Sequence, residues 1–156
     1  MRYQENITRS ISRKTTQMKY EIKQIRTVNT PGKGSLSFFE SGRDVPFEIK
    51  RMYFIHQVPT GVQRGGHAHR RLCQLLFCPY GSIEIVLDDG VAEERILLDD
   101  PSKGLLVGNL VWRDMIWRKD DSILAVAASN YYDESDYIRE YKDFLDELNL
   151  QGEKDD

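Results

Sequence analysis

RGGHAHRRLCQ, residues 64–74, is the stretch from which the rest of the sequence is best interpreted. His67 and His69 are separated by one residue, so on a β-strand both side chains project from the same face. They are two of only three histidines in the chain. Because two imidazoles in one cavity can bind a metal ion or transfer protons, we expect this stretch to be a strand of the functional site.

The surroundings of the two histidines carry an unusual charge. Between residues 49 and 83 the sequence has no Asp or Glu, and its basic residues there are Lys50, Arg51, Arg64, Arg70 and Arg71. In a chain of net charge −3, this predicts a local cationic surface suited to an anion such as a diphosphate. The alternative is a charged strand edge that discourages aggregation.

Short apolar runs separated by turn residues extend outward from this stretch. They lie at residues 36–39, 46–58, 72–78, 82–87, 93–98, 104–107, 111–117 and 122–128. Asp89-Gly90 between two of them predicts a hairpin, because Gly accepts the positive φ that a tight turn requires. Many strands at close spacing, with no helix between them, predict an all-β antiparallel sandwich or barrel.

The end of the chain has a different period. Apolar residues recur at steps of three and four, which predicts a helix over residues 134–148 with Asp133 as its cap; they are Tyr137, Tyr141, Phe144, Leu145 and Leu148. Residues 1–19 are expected to be a flexible N-terminal arm, residues 20–150 one domain, and residues 151–156 a disordered tail.

Composition excludes several classes of protein. With 156 residues, of which 40% are hydrophobic, the chain can form one domain with a proper core. The net charge disfavours nucleic-acid binding, and the apolar runs are too short to span a membrane.

Cys73 and Cys78, five residues apart on one strand, face opposite sides and cannot bridge. Free thiols indicate a reducing cytoplasm.

The spacing of Gly61, His67, His69, position 74 and Gly81 resembles the first motif of the cupins. Metal-binding cupins have Glu at position 74 and a third histidine near residues 104–117, whereas this chain has Gln74 and Arg113. Two imidazoles without a carboxylate hold a divalent ion weakly. The sequence therefore predicts no metal and no cofactor, and favours proton chemistry.

Six blocks in order resemble a narrower family, the sugar-nucleotide 3,4-ketoisomerases that act on dTDP-4-keto-6-deoxyglucose. They are GSL (34–36), PFEIKRMYFI (46–55), RGGHAHRRLCQ (64–74), GSIEIVLDDG (81–90), VW (111–112) and SNYYDESDYIREY (129–141). The resemblance implies a cupin-type antiparallel β-barrel, or jelly roll, with a short C-terminal helix. It also implies a metal-free, cytoplasmic homodimer that moves a keto group from C4 to C3. The product would pass to a pyridoxal-phosphate-dependent aminotransferase that makes a 3-amino-3,6-dideoxy sugar for a surface glycan or a natural product.

The resemblance also implies the site residues. By this resemblance we expect His69 as principal base, His67 and Tyr53 to be catalytic. We expect the substrate to be bound by Arg64, Arg51, Lys33, Gln74 and Trp112, with Tyr131 and Tyr132 as further candidates for stacking on thymine. Lys33 stands where an Arg is expected, which keeps the charge but loses the bidentate fork, and Arg113 stands where many members have a His.

Three alternatives remain open at the level of sequence. A dTDP-sugar 3,5-epimerase is a related cupin enzyme that works with a His–Asp dyad. A metal-dependent cupin is disfavoured by Gln74 and Arg113. A non-catalytic cupin would bind the dTDP-sugar and leave its protons in place.

Overall fold

The computed structural model of the protein describes residues 18–155. Within that range the chain forms twelve strands: β1 (Tyr20–Gln24), β2 (Arg26–Thr30), β3 (Gly34–Phe38), β4 (Arg51–Ile55), β5 (Gln63–His69), β6 (Gln74–Tyr80), β7 (Ile83–Asp88), β8 (Glu93–Leu98), β9 (Lys103–Val107), β10 (Trp112–Trp117), β11 (Ile123–Ala128) and β12 (Tyr137–Ile138). A helix, α1 (Tyr141–Asp155), follows the last strand.

Ten of these strands form two five-stranded antiparallel sheets. Their orders are β1-β9-β6-β11-β4 and β12-β5-β10-β7-β8, and the apolar core that includes Leu76, Ile85 and Leu124 draws on strands of both. The all-β cupin-type jelly roll is confirmed. Within residues 18–155 no ladder joins the two sheets, so the molecule is an open sandwich rather than a closed barrel.

Strand alternation decides which side chains reach the interior. In β10, Arg113, Met115 and Trp117 are buried, and the residues between them are only partly buried. The Trp117 indole N–H donates to the Ser122 carbonyl at 3.0 Å, so its polar atom is satisfied inside the core. The same alternation that buries this tryptophan carries the Arg113 side chain inward.

Two hairpins lie outside or at the edge of this core. The hairpin predicted at Asp89-Gly90 joins β7 to β8, with Gly90 at φ 88° and a loop of four residues between paired Asp88 and Glu93. The β2–β3 hairpin forms a two-stranded sheet of its own. Its Val28 and Leu36 side chains are 55% and 61% exposed.

The C-terminal helix begins later than predicted. Residues 134–136 form a 3-10 turn, capped by the Asp133 side chain, which accepts a hydrogen bond from the Ser135 backbone N–H. Tyr137 and Ile138 then pair with His69 and Ala68 of β5, and α1 starts only at Tyr141. The prediction of a helix from residue 134 is wrong because pairing with β5 takes these residues into a sheet.

The two termini also differ from expectation where the structure describes them. The helix α1 continues to Asp155, so residues 151–155 are helical rather than a disordered tail. Most of the arm predicted over residues 1–19 lies outside the described residues, but Met18 packs on the core and Lys19 donates to the Asn109 side chain at 3.3 Å.

Cys73 and Cys78 are both free thiols, as predicted. Between residues 18 and 155, no helix is long and apolar enough to cross a membrane.

Candidate active site

Strand β5 places both predicted histidines on one side of the sandwich. The imidazole ring centroids of His67 and His69 are 5.0 Å apart. Gly65, two residues earlier, has φ +91°, and a Cβ there would lie 2.7 Å from the Arg113 carbonyl oxygen. Because β5 and β10 approach so closely at an irregularity in their register, only glycine fits at this position.

A carboxylate that sequence analysis did not identify as functional completes a dyad with His69. Asp136 Oδ2 lies 3.1 Å from His69 Nδ1, and both residues are buried. The backbone N–H groups of Arg71 and Leu72 donate to the same carboxylate at 2.8 and 3.3 Å. On the other side of the ring, His69 Nε2 is buried and has no hydrogen-bond partner among residues 18–155. The dyad therefore leaves one ring nitrogen free for chemistry.

Tyr137 and Arg139 also reach the site and were not predicted as site residues. The Tyr137 ring centroid is 5.2 Å from His67 and 4.5 Å from His69. The Arg139 guanidinium lies over the Tyr137 ring at 4.3 Å and is paired with Glu134 at 2.8 Å. The segment of residues 136–139 thus supplies the dyad carboxylate of Asp136, the ring of Tyr137 and the cation of Arg139.

Arg70 holds that segment in place. Its guanidinium donates to the carbonyl oxygens of Ser135 and Tyr137, both at 2.8 Å, and to Glu147 of α1 at 2.9 Å. These bonds tie the segment to both β5 and the helix. Arg70, which was predicted to belong to a diphosphate-binding surface, therefore makes structural contacts instead.

Two cavities open beside the histidines. The larger, of about 320 Å³, is lined by Arg51, Tyr53, Ile55, Arg64, Gly65, His67, Met115, Tyr137 and Arg139. The smaller, of about 80 Å³, is lined by Arg51, His69, Arg71, Leu72, Ser129, Asn130, Tyr131, Asp133, Asp136 and Tyr137. Each histidine faces a different cavity, and Arg51 and Tyr137 border both.

A buried polar network joins the two positions at which the sequence departs from the metal-binding cupin pattern. Arg113 is fully buried and donates from Nη1 to Gln74 Oε1 at 2.6 Å, and from Nη2 to the Val111 carbonyl at 3.0 Å. Gln74 Nε2 donates in turn to the Tyr53 hydroxyl oxygen at 3.0 Å. A buried guanidinium repels a divalent cation, so these residues do not fit a metal. Across residues 18–155 no group of three His, Cys, Asp or Glu side chains is arranged to hold one.

The environment makes both imidazoles weakly basic. Burial, reinforced by the Arg113 charge, lowers the pKa of His67 to about 4. Burial and Arg113 likewise lower the pKa of His69. Burial also lowers the pKa of Arg113 to about 10, which leaves it charged at neutral pH. At neutral pH the site therefore contains two neutral imidazoles near a fixed positive charge.

The structure does not bring every predicted residue into the cavities. Lys33, in the turn between β2 and β3, lines neither of them. Trp112 packs against Tyr141 and Phe144 of α1, at 5.3 and 5.7 Å between ring centroids. It lines neither cavity because its neighbour Arg113 occupies the inward face of β10, so a role for Trp112 in substrate binding stays a prediction.

Of the candidates for base stacking, two tyrosines lie close to the site. Tyr131 lines the smaller cavity, and the Arg51 guanidinium lies 5.7 Å from the Tyr132 ring centroid. Both tyrosines are more than half exposed.

The fold and the histidine pair define a cupin-type protein, and comparison narrows the class. Residues 18–149 match the family model described as "FdtA: WxcM-like, C-terminal". This chain belongs to that family. A curated relative from Aneurinibacillus thermoaerophilus, TDP-4-oxo-6-deoxy-alpha-D-glucose-3,4-oxoisomerase, is 44% identical over 124 residues, covering 78% of this chain and 89% of the relative.

Two solved structures are similar over nearly their whole length. A His-to-Asn variant of the 3,4-ketoisomerase QdtA from Thermoanaerobacterium thermosaccharolyticum, in complex with TDP-4-keto-6-deoxyglucose, is 38% identical with a TM-score of 0.83, and the match covers 86% of this chain and 97% of that one. A 3,4-ketoisomerase from Helicobacter canadensis is 41% identical with a TM-score of 0.82, covering 85% and 99%.

Proposed function

We propose that this protein is a sugar-nucleotide isomerase that moves the keto group of a TDP-linked 4-keto-6-deoxy sugar from C4 to C3. The observation that carries this proposal is a half-buried histidine, His67, at the edge of a cavity lined by three arginines, with the ring of the buried His69 5.0 Å away. Neutral imidazoles can accept a proton from carbon at physiological pH, and arginines can bind a diphosphate. The oxoisomerase and ketoisomerase names of the relatives support the same reaction.

The reaction needs only proton transfers. A base removes the C3 proton, the C–H electron pair forms a C3–C4 double bond, and the C4 carbonyl oxygen takes up the displaced pair as an enediolate. The C4 oxygen then takes up the proton that the C3 hydroxyl loses, and C4 receives a proton from the imidazolium as C3 becomes the ketone. Two hydrogens change place within the sugar, so no oxidant or reductant is consumed.

Geometry suggests separate roles for the two histidines. His67 borders the larger cavity, which has the volume and the arginines for a sugar diphosphate. His69 lies behind it and is oriented by Asp136. We therefore assign the C3-to-C4 proton to His67 and the hydroxyl protons to His69, which revises the sequence-based preference for His69 as principal base.

Arg51, Arg64 and Arg139 are the proposed ligands of the diphosphate, since all three border the larger cavity. The nucleotide supplies binding energy remote from the reacting carbons, which orients the sugar. Tyr53 is the proposed donor to the enediolate oxygen, because its hydroxyl belongs to a residue of the same cavity.

We also propose a homodimer. Four apolar side chains on β2, β3 and β4 are more than half exposed: Val28, Leu36, Met52 and Phe54. A second copy is the simplest partner to cover them. A role for Lys33 in substrate binding also depends on a second protomer, because Lys33 lines neither cavity of its own.

Proposals for the cellular setting follow from the reaction. The 3-keto product is a substrate for a pyridoxal-phosphate-dependent aminotransferase, and amination at C3 would give a 3-amino-3,6-dideoxy sugar. Two free thiols support a reducing compartment, the cytoplasm.

Proton NMR of TDP-4-keto-6-deoxyglucose with the chelator-treated protein in heavy water tests the proposal. Deuterium at C3 and C4, together with new 3-keto signals, is expected. H67N should abolish exchange, whereas H56N, which changes an exposed histidine outside the cavities, should leave it unchanged. No exchange with TDP still bound would leave a non-catalytic cupin, and rescue by a divalent ion would indicate a metal-dependent one.

The His69–Asp136 pair favours one second candidate, a 3,5-epimerase, because such enzymes use a His–Asp dyad. The same spectra separate the two reactions. Epimerisation places deuterium at C3 and C5, and the keto group stays at C4.

A further inference from the structure

The two positions at which the chain departs from the cupin metal pattern, Gln74 and Arg113, contact each other directly. The Arg113 side chain is fully buried, and its Nη1 lies 2.6 Å from Gln74 Oε1. A guanidinium has only donors, so the amide oxygen of Gln74 must face it. The amide nitrogen is then forced to the other side, where it lies 3.0 Å from the Tyr53 hydroxyl oxygen.

This order fixes the direction of the Tyr53 hydroxyl. An amide NH2 group donates and cannot accept, so the Tyr53 oxygen receives the bond from Gln74 and its own hydrogen must point elsewhere. Within residues 18–155 that hydrogen has no other protein acceptor, and Tyr53 lines the larger cavity. Burial raises the pKa of Tyr53, so the hydroxyl keeps its proton at neutral pH.

We propose that Arg113 and Gln74 are positioning residues that orient the Tyr53 hydroxyl hydrogen toward the larger cavity. There it donates to the oxygen that becomes negative when the enediolate forms. The inference rests on the proposed isomerase function and adds to it a source for the orientation of Tyr53. It also gives a role to the two residues that depart from the metal-binding cupin pattern.

The relay forms and breaks no covalent bond of its own. As the C3 proton leaves, negative charge accumulates on the C4 oxygen, and the Tyr53 hydrogen bond to that oxygen strengthens. The buried Arg113 charge polarises the Gln74 amide, which polarises the Tyr53 hydroxyl in the same direction. The donor is thus oriented before the substrate reacts, which is the condition under which such donors are most effective.

Q74E is the sharpest test because it changes the direction of one hydrogen bond at constant volume. A carboxylate accepts from Arg113 on one oxygen and from the Tyr53 O–H on the other, which turns the hydroxyl hydrogen away from the cavity. The new carboxylate also pairs with the buried guanidinium, so the fold is expected to persist. Q63E makes the same chemical change at an exposed position of β5 and serves as the control.

The expected result is a non-additive double-mutant cycle. Y53F and Q74E should each lower kcat by roughly 10²–10³-fold, the range for loss of one oxyanion donor, while the Kd for TDP stays within about threefold. The double variant Q74E/Y53F should be no more than about threefold slower than Y53F. Losses that multiply in the double variant, or a Q74E kcat equal to that of Q63E, would overturn the relay.

A spectroscopic readout tests the relay without activity. In protein that contains 3-fluorotyrosine, Y53F assigns the ¹⁹F resonance of residue 53. A carboxylate at position 74 should raise the titration midpoint of that phenol by ~1–3 pH units relative to wild type, and Q63E should not. If the wild type fails to isomerise the sugar, the proposed function fails while this shift still reports on the relay. An unchanged midpoint in Q74E contradicts the relay itself.

Discussion

Asp136 Oδ2 lies 3.1 Å from His69 Nδ1, although the two residues are 67 positions apart in the chain. The carboxylate is anchored by the backbone N–H groups of Arg71 and Leu72. An anchored acceptor at Nδ1 selects the tautomer in which Nδ1 carries the hydrogen, so Nε2 keeps its lone pair. The dyad thereby determines which nitrogen of His69 can take up a proton.

D136N is expected to invert this tautomer. The Asn Oδ1 can still accept from the Arg71 N–H, but its NH2 group must then face His69 Nδ1 and place the ring hydrogen on Nε2. We expect kcat to fall by roughly 10²–10⁴-fold with the Kd for TDP little changed, and ¹⁵N NMR of labelled histidines to show the changed tautomer of His69. D143N, which removes an exposed carboxylate of α1, should match wild type. A D136N enzyme with normal kcat would disprove the orienting role.

Activity should persist in acid further than an ordinary histidine allows. The His67 pKa is about 4, so the neutral form of the free enzyme is lost only as pH falls through about 4. The acid limb of kcat/KM is therefore expected near pH 4 rather than near 6.5. A pH profile of kcat/KM measured in deuterium-exchange assays checks this, and a limb centred at 6.5 would contradict it.

The free energy of unfolding, unlike the activity, should decrease on mild acidification. His67 takes up a proton near pH 6.5 in the unfolded chain but only near pH 4 in the folded protein. Between these values the unfolded state binds more protons, so the free energy of unfolding should decrease as pH falls from 7 to 5. Urea unfolding of wild type and H67Q at both pH values should show a smaller decrease for H67Q. Equal decreases would mean that the site histidine does not contribute.

Loss of a cavity arginine should weaken nucleotide binding more than it slows the chemical step. One charge-assisted hydrogen bond contributes about 1.5–3 kcal/mol, so R64Q is expected to raise the Kd for TDP by roughly 10–150-fold, with kcat changed less. R95Q provides the control, because Arg95 is exposed on β8 and pairs with Glu84 and Glu93. Isothermal titration of TDP measures both, and an R64Q Kd equal to that of R95Q would remove Arg64 from the diphosphate site.

Gly65 and Gly66 form a matched pair for testing the close approach of β5 and β10. Both have positive φ, but a Cβ at Gly65 would meet the Arg113 carbonyl at 2.7 Å, whereas at Gly66 the nearest atom is Asp114 Oδ1 at 3.7 Å. G65A should therefore lower the free energy of unfolding by ~1–3 kcal/mol more than G66A. Chemical denaturation gives the difference, and equal values would show that the strands can separate without penalty.

Local pattern was sufficient to predict the strands and the shared face of the histidines. A period of two fixes which side chains project together, so the proximity of His67 and His69 follows from their spacing. The pattern failed at residues 134–140 because Tyr137 fits two periods. Its spacing from Tyr141 is helical, yet its backbone pairs with His69, and its ring lies on the histidines while Tyr141 contacts Trp112.

The partners of the site were beyond the reach of the sequence because they are distant along the chain. Asp136 sits in the first turn of what looked like a helix, where an acidic residue is explained by the helix dipole. Gln74 was predicted to bind substrate, and Arg113 was noted as a departure from the metal pattern, yet Gln74 lines neither cavity and contacts Arg113, 39 residues away. No single-sequence signal shows that two unusual residues contact each other.

The segment that Arg70 holds in place contributes to the site although it lies beyond the long strands. The last long strand of the two sheets ends at Ala128, yet the dyad carboxylate, the ring on both imidazoles and one cavity arginine all come from the next eleven residues. The long strands carry the two histidines and Tyr53, and the segment that follows them supplies the groups around the two rings. An exchange of residues 129–155 between members of the family would therefore change the carboxylate, the ring and the arginine beside the histidines while β1 to β11 keep their own residues.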